Sequence, residues 1–310
     1  LTAPAALDSK AARATLSAMS LLDIRIGTLG SIKTAPTYLK QILPHGFESF
    51  QLNGGWGVGV VDFAGIASAV RDVITDKAVI SSIGYFGNPI QKDEDAANFG
   101  AYIDNAHHFG TDIVVGFAGA FDGKPITESL PKFKQVWGDL AKRARDKGVR
   151  IAFENCDMGG WWHSGSYNVM HAPTIWDIAF NEITDSEVIG LCWEPCHQMV
   201  SLIDPIPNLR KYVKKVFNVH GKDATIAWDV IKSKGLRGGE PYVWHRHPGF
   251  GDTNWTDIVS ILRMAGFKGS IDIEGWHDPV YKGDLEMTGQ VHAMNHLKTC
   301  RGGHVFIPNP

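Results

Sequence analysis

Glu154, Glu194, His220 and Glu274 each stand directly after a short apolar run: VRIAF, GLCW, VFNV and SIDI respectively. Three carboxylates and one imidazole make a hard, oxygen-rich donor set. Such a set suits Mn²⁺ or Mg²⁺, with Co²⁺ or Zn²⁺ as alternatives, better than a thiolate-based structural zinc site would. Four protein ligands leave room on an octahedral ion for a substrate with two adjacent oxygens. The ion would then polarise a carbonyl and stabilise the enediolate formed when the neighbouring carbon loses its proton. A carboxylate touching both ion and substrate would be the base. Any one of these residues has a bland reading as a hydrogen-bonded strand terminus; four in register argue for a site.

The stretch GLCWEPCHQM (190–199) also carries cysteines around its Glu194–His197 pair, which opens three readings: a zinc knot, a redox pair or a sugar-handling carboxylate site. Cys192 and Cys196 are separated by three residues, which is not a C-x-x-C redox motif, and no second pair at zinc-ribbon spacing accompanies them. Side chains alternate on a strand, so Cys192 should point inward with Glu194, one layer below the metal. Cys196 is expected on a loop, with Pro195 turning the chain so that His197 reaches substrate.

Such a site needs strands that end at one level. Strands are expected near 23–28, 48–52, 78–84, 112–117, 149–153, 188–193, 215–219 and 270–273, where short apolar runs meet polar loops. Helical spacing fills the gaps. DFAGIASAVRDVIT has Asp62 as N-cap and Ile66, Val70 and Val73 on one face; later helices end at Gly110 and Gly148, and others are read over 254–266 and 285–298. The helix ending at Gly148 is read from Leu130. This alternation predicts a single (β/α)₈ TIM barrel over about 23–299, within one domain of 1–310, with extensions 1–22 and 300–310. An open doubly wound sheet is the runner-up, weakened because no G-x-G-x-x-G loop follows the first strand. GGWGVGVV (54–61) reads as a flexible loop.

The composition is that of an ordinary globular enzyme, 44% hydrophobic and 20% charged. A net charge of −3 offers no basic field for nucleic acid. No apolar run approaches the length of about 18–20 residues that spans a bilayer. Four cysteines in 310 residues do not resemble a disulfide framework, so a reducing, cytoplasmic setting is the default. The chain begins at Leu1 rather than Met, which indicates trimming or processing and is compatible with a removed signal.

FEN at Glu154, LCWEPCH at Glu194 and His197, VFNVHGKD at His220, HRHPGFGDTNW and IDIEGWHD at Glu274 resemble the sugar phosphate isomerase/epimerase superfamily. This xylose-isomerase-like group of barrels also contains ketose 3-epimerases, inosose dehydratases and apurinic endonucleases. The resemblance runs from about residue 23 to 299 and is strongest in the second half. It implies a divalent metal, most often Mn²⁺, on Glu154, Glu194, His220 and Glu274. It also implies that Glu154 and Glu274 exchange the substrate proton, that His197 and Arg246 contact substrate oxygens, and that subunits associate as dimers or tetramers. One position departs from the pattern. The second ligand is usually aspartate in D-P-x-H, whereas here it is Glu194 in E-P-C-H.

Further candidates for the pocket are Trp162 in GGWWHSGSYN (159–168), Lys222 in HGKD and Trp276 after Glu274. Together these features predict a metal-dependent isomerase or epimerase of a small keto-sugar, with Glu154 and Glu274 as base and acid on opposite faces. A lyase acting on a keto-sugar, keto-glycoside or inosose by the same enolate chemistry is the alternative. Phosphodiester cleavage would need several metals and a basic groove, and a non-catalytic sugar-binding barrel is the remaining rival.

Overall fold

The computed structural model describes residues 23–305 together with Ile307 and Asn309. The expected extension at 1–22 lies outside the described residues. Eight parallel strands close a barrel: β1 (Arg25–Ser31), β2 (Ser49–Gly55), β3 (Val79–Phe86), β4 (Ile113–Gly116), β5 (Arg150–Glu154), β6 (Ile189–Trp193), β7 (Val216–Gly221) and β10 (Ser270–Ile273), with β10 pairing back onto β1. Between β7 and β10 sits an antiparallel hairpin, β8 (Asp223–Ile226) and β9 (Val243–Arg246), which the sequence pattern did not suggest. Its strands are short and mixed in polarity, and the exposed helix between them hides the pairing.

The helices are α1 (Ala35–Ile42), α2 (Phe63–Ile74), α3 (Asp93–Asn105), α4 (Ile126–Lys147), α5 (Pro173–Glu182), α6 (Pro195–Val200), α7 (Pro205–Tyr212), α8 (Trp228–Lys234), α9 (Trp255–Met264) and α10 (Glu286–Arg301). None among the described residues is long and apolar enough to cross a membrane. Asp62 caps α2 by accepting the Gly65 N–H, as expected, but the buried face is Phe63, Ala67, Val70 and Ile74, with Ile66 and Val73 at its edge. Helix α4 starts at Ile126, earlier than the expected Leu130, and so encloses Pro131. Ile126 is fully buried and the Ser129 hydroxyl accepts the Phe121 N–H, which outweighs the one amide bond that Pro131 cannot make. Further along, Trp137 wedges between Phe99 and Phe153 at ring distances of 4.9 and 4.5 Å and donates to the Ala118 carbonyl. Truncating it to alanine would cost about 3–5 kcal/mol.

The lower interior of the barrel is polar. Asn218 on β7 donates to Gln51 on β2 (2.9 Å) and to Asp272 on β10 (3.3 Å), and Ser49 and Ser81 also donate to Asp272 (2.7 Å each). Contacts between strands that are not neighbours are only available inside the barrel. Gly27 makes room for them, since a Cβ there would lie 2.2 Å from Ser49 Oγ.

Candidate active site

The four strand-end residues converge. Glu154 closes β5, Glu194 follows β6 directly, His220 is the penultimate residue of β7, and Glu274 follows β10. Each offers a ligand atom, and these atoms all lie within 4.8 Å of one another. His220 Nδ1 sits 3.3 Å from Glu154 Oε2, 3.2 Å from Glu274 Oε2 and 3.5 Å from Glu194 Oε2. The other imidazole nitrogen, Nε2, faces Gln51 Oε1 at 3.2 Å. With Nε2 donating to that amide oxygen, the Nδ1 lone pair points at the carboxylates, the arrangement expected of a metal-ligating histidine.

Whether a divalent cation fits can be judged from the donors. Glu194 and His220 are fully buried, yet both Glu194 oxygens and His220 Nδ1 lack a well-formed hydrogen bond among the described residues. Buried polar atoms without partners are costly, and a cation is the ligand that would satisfy three clustered carboxylates at once. The residues fit the group.

Two asparagines hold this cluster through the backbone. Asn155 accepts the Glu194 N–H (2.7 Å) and donates to the Glu194 carbonyl (2.9 Å), tying the ends of β5 and β6 together. Asn168 donates to the carbonyls of Glu154 (2.8 Å) and Cys156 (2.7 Å). Neither was singled out from sequence, although Asn155 stands in the FEN motif. An amide directly after a strand-end carboxylate is the signal available for Asn155, and Asn168, 14 residues past Glu154 along the loop, carries none.

Around the cluster lies a second layer of nitrogen. Lys222 Nζ is 2.7 Å from Glu274 Oε1 and 3.6 Å from Glu194 Oε1, with the side chain 2% exposed. His197 Nε2 is 3.1 Å from Glu194 Oε1. One Glu194 oxygen thus faces His220 while the other reaches His197 and Lys222. Charges this close split the protonation states. Burial, with the neighbouring Glu274 and Glu194, pushes Glu154 up to about 8 against the pull of His220. Burial also raises Glu274, but Lys222 and the His220 and His277 imidazoles outweigh it and hold that carboxyl well below its usual range. His197 is kept neutral by burial and by Lys222, and burial presses His245 down to about 4.

Above the cluster opens a cavity of about 680 Å³. Glu154, His197, Lys222, His245, Glu274 and His277 form its charged end. Trp276 also lines it. Two sequence candidates do not line this cavity. Trp162 packs half-buried against the main core, where its carbonyl accepts the Ile126 N–H, because the turn 161–164 folds it inward under α4. Arg246 is on strand β9 rather than in a loop; its Nε donates to Asp278 (3.1 Å) and it does not line the cavity. Cys196 is likewise not a loop residue but a buried member of α6, packed with Met199 and Ala224.

The hairpin is fastened by two carboxylates that sequence reading passed over. Asp278 accepts the backbone N–H groups of His247, Val280 and Tyr281, which together with Arg246 hold it near about 2 despite burial. Asp223 accepts from Thr253 N and Trp255 Nε1. His247 seats against Gly275, where a Cβ would lie 1.8 Å from its Nε2, so the residue after Glu274 must be glycine.

The other end of the cavity is apolar and comes from the first four strands: Leu29, Trp56, Val58, Phe86 and Phe117, joined by Met158. Here the expected flexible loop at 54–61 is instead a tight turn. Gly55 and Val58 exchange both backbone hydrogen bonds, and the residues between them, Trp56 and Gly57, have φ of +50° and +89°. Two successive positive φ values are the sign pattern of a type I′ turn, where Asn, Asp or Gly is usual and tryptophan is not. Met158 (φ +51°) and Tyr167 (φ +52°) share that left-handed conformation, and Tyr167 packs on Trp56 at 5.3 Å. Each such residue costs about 1–3 kcal/mol, and strain of this kind collects at functional sites.

Residues 39–300 match the family model described as xylose isomerase-like TIM barrel. The inosose dehydratase of Clostridium tetani (strain Massachusetts / E88) is 30% identical over 172 residues, 52% of this chain and 55% of that protein. That of Clostridium botulinum (strain Alaska E43 / Type E3) is 26% identical over 63% of this chain and 67% of its own length. The chain thus spans between about half and two thirds of these curated relatives. Among solved structures, a xylose isomerase domain protein from Planctomyces limnophilus superposes with a TM-score of 0.65 at 16% identity, covering 90% of this chain and 97% of that one. The apo 3-keto-D-glucoside 4-epimerase of E. coli gives 0.62 at 14% identity, with 90% and 100% covered. At such identities the likeness is one of fold.

Proposed function

Because the chain belongs to the xylose isomerase-like TIM barrel family, we propose that it is a divalent-metal-dependent enzyme that moves a proton beside the carbonyl of a keto-sugar or keto-cyclitol. The observation that carries this reading is the convergence of Glu154, Glu194, His220 and Glu274 at the base of the cavity. A cation held by those four side chains, Mn²⁺ being the expected ion, supplies Lewis acidity next to the negative charge that develops as the proton leaves. Glu274, kept ionised beside Lys222, takes the proton from carbon. Glu154, the other carboxylate of the cluster that lines the cavity, is the complementary acid. His197 and Lys222 line the same end and donate to substrate oxygens.

Two fates of the resulting enolate fit this wall. In elimination the C–H electron pair becomes the C=C bond, the β C–O bond breaks, and Glu154 protonates the departing hydroxyl as water. In epimerisation Glu154 returns its proton to carbon from the other face. The inosose dehydratase relatives favour elimination, while two glutamates lining one cavity favour the epimerase or isomerase reading. Mass spectrometry after incubation in D₂O with Mn²⁺ separates them. An inosose or keto-sugar that loses water reports the lyase, and one that keeps its atoms but gains deuterium reports the epimerase. Neither change on any ketose, keto-glycoside or inosose would sink the proposal.

A further inference from the structure

The cavity is larger than the chemistry at its charged end requires. Its volume of about 680 Å³ falls in the range of about 300–1,000 Å³ that encloses drug-sized ligands, well beyond one sugar ring of about a dozen non-hydrogen atoms. The surplus is not more of the same surface. It is the apolar end made by Trp56, Phe86, Phe117 and Met158, with Tyr167 behind Trp56. The rings are set against one another as in a built wall: Phe86 meets Phe117 edge-on at 4.9 Å, and Trp56 meets Phe117 edge-on at 6.2 Å. Trp56 nevertheless keeps 61% of its surface free and is held out by a turn whose backbone disfavours any side chain. A tryptophan fixed at such a position and left uncovered is a surface waiting for a partner.

We propose that this end is a subsite for an aryl aglycone, so that the substrate is a keto-sugar joined to an aromatic group rather than a free monosaccharide. The inference rests on the keto-sugar reading above and names its substrate class. An aryl ring suits the wall because aromatic faces and edges pair with one another in offset and edge-to-face geometry. A second sugar ring suits it less, because its hydroxyls would need polar partners and the side chains offered here are Ser31, Asn53 and Asp157. Continuity matters as well: the apolar wall and the glutamate cluster line one cavity, so one molecule can occupy both.

The test uses inert ligands, so that it does not depend on the chemistry. Phenyl β-glucoside, methyl β-glucoside and cellobiose are titrated calorimetrically into the Mn²⁺-loaded protein. The expected result is phenyl glucoside at least about tenfold tighter than methyl glucoside, or about 1.4 kcal/mol. Trp56→Ala should bring that ratio down to about two or less, with Phe117→Leu as the second variant should the first fail to fold. Equal affinities for the two glucosides, no measurable binding of phenyl glucoside, a ratio unmoved by both variants, or cellobiose binding tighter than phenyl glucoside would each overturn the aryl subsite. None of these ligands reacts, so a failure of the proton-transfer proposal leaves the ratio untouched and is read separately from deuterium uptake.

Discussion

The two halves of this barrel end in different chemistry. Strands β5, β6, β7 and β10 deliver three carboxylates and an imidazole, whereas β1 to β4 deliver Leu29, the turn at Trp56, Phe86 and Phe117. One half is built to hold charge out of water, and every polar atom in it has consequences for its neighbours' protonation. The other is built to present carbon, and its cost is backbone strain rather than desolvation. The difference teaches that reaction and recognition are separable here: changes in the second half should fall on kcat and metal, and changes in the first half on KM.

The sharpest test of that division is also the largest effect. Glu154→Gln and Glu274→Gln each keep side-chain shape and remove the proton-transfer group. Turnover should fall by about 10²–10⁴-fold in each, with KM little changed. Steady-state kinetics on any accepted keto-sugar decides it, and near-full turnover in both variants with metal bound would end the assignment.

A second experiment tries to break the division instead. Gln51 belongs to β2, in the apolar half, yet its Oε1 faces His220 Nε2 at 3.2 Å and also accepts from Ser82 (3.0 Å) and Asn218 (2.9 Å). Without that acceptor the imidazole is no longer held with Nδ1 toward the carboxylates. Gln51→Leu should therefore weaken Mn²⁺ binding by about 10–100-fold, as loss of an outer partner to a ligating histidine does. Competition titration with a chelating dye measures it. An unchanged affinity would mean that His220 is oriented by packing alone.

The same asymmetry explains what could be read from sequence. A carboxylate closing an apolar strand stands out, so Glu154, Glu194, His220 and Glu274 could be named with their strands, and the structure brings those four together. Phe86 and Phe117 could not be named, because an aromatic residue at a strand end looks the same whether it faces a pocket or the core. Trp56 was hidden differently. Glycines on both sides suggested mobility, whereas Gly55 and Gly57 serve a turn with positive φ throughout. Trp162 is ambiguous in the opposite sense, since an aromatic residue in a Gly-rich loop on the catalytic face points to a sugar ring, whereas here it packs half-buried on the core. Arg246 reads as a loop residue from sequence because the hairpin partner of its strand lies about 20 residues upstream, beyond the reach of local pattern.

A third prediction concerns the hairpin inside the charged half, between β7 and β10. Asp278 is held near about 2, below its ordinary 3.8, by three backbone N–H groups and Arg246. Its folded value is depressed, so its contribution is full above about pH 4 and is lost as pH falls toward about 2. Solvent near the loop screens the Arg246 part, which leaves about 1–2 kcal/mol for Asp278→Asn. Urea unfolding at neutral pH should show that loss, and the gap between variant and parent should close as pH falls toward about 2. A gap that persists at that pH would mean the carboxyl acts through shape rather than charge.

The smallest effect separates two tryptophans that look alike in sequence. Trp56 and Trp162 both stand beside glycine or tryptophan in loops on the catalytic face, but one is 61% exposed in the cavity wall and the other packs on the core under α4. Trp162→Leu removes indole area from a half-buried contact, so the melting temperature should fall while KM stays within about twofold of the parent. The turn 161–164 keeps its backbone bonds in this variant, because Trp161 and Ser164 exchange them without the indole. A several-fold rise in KM at unchanged melting temperature would mean that Trp162 swings out to meet substrate. Recognition would then extend past the first four strands into the loop that follows β5, and the boundary between the two halves would have to move with it.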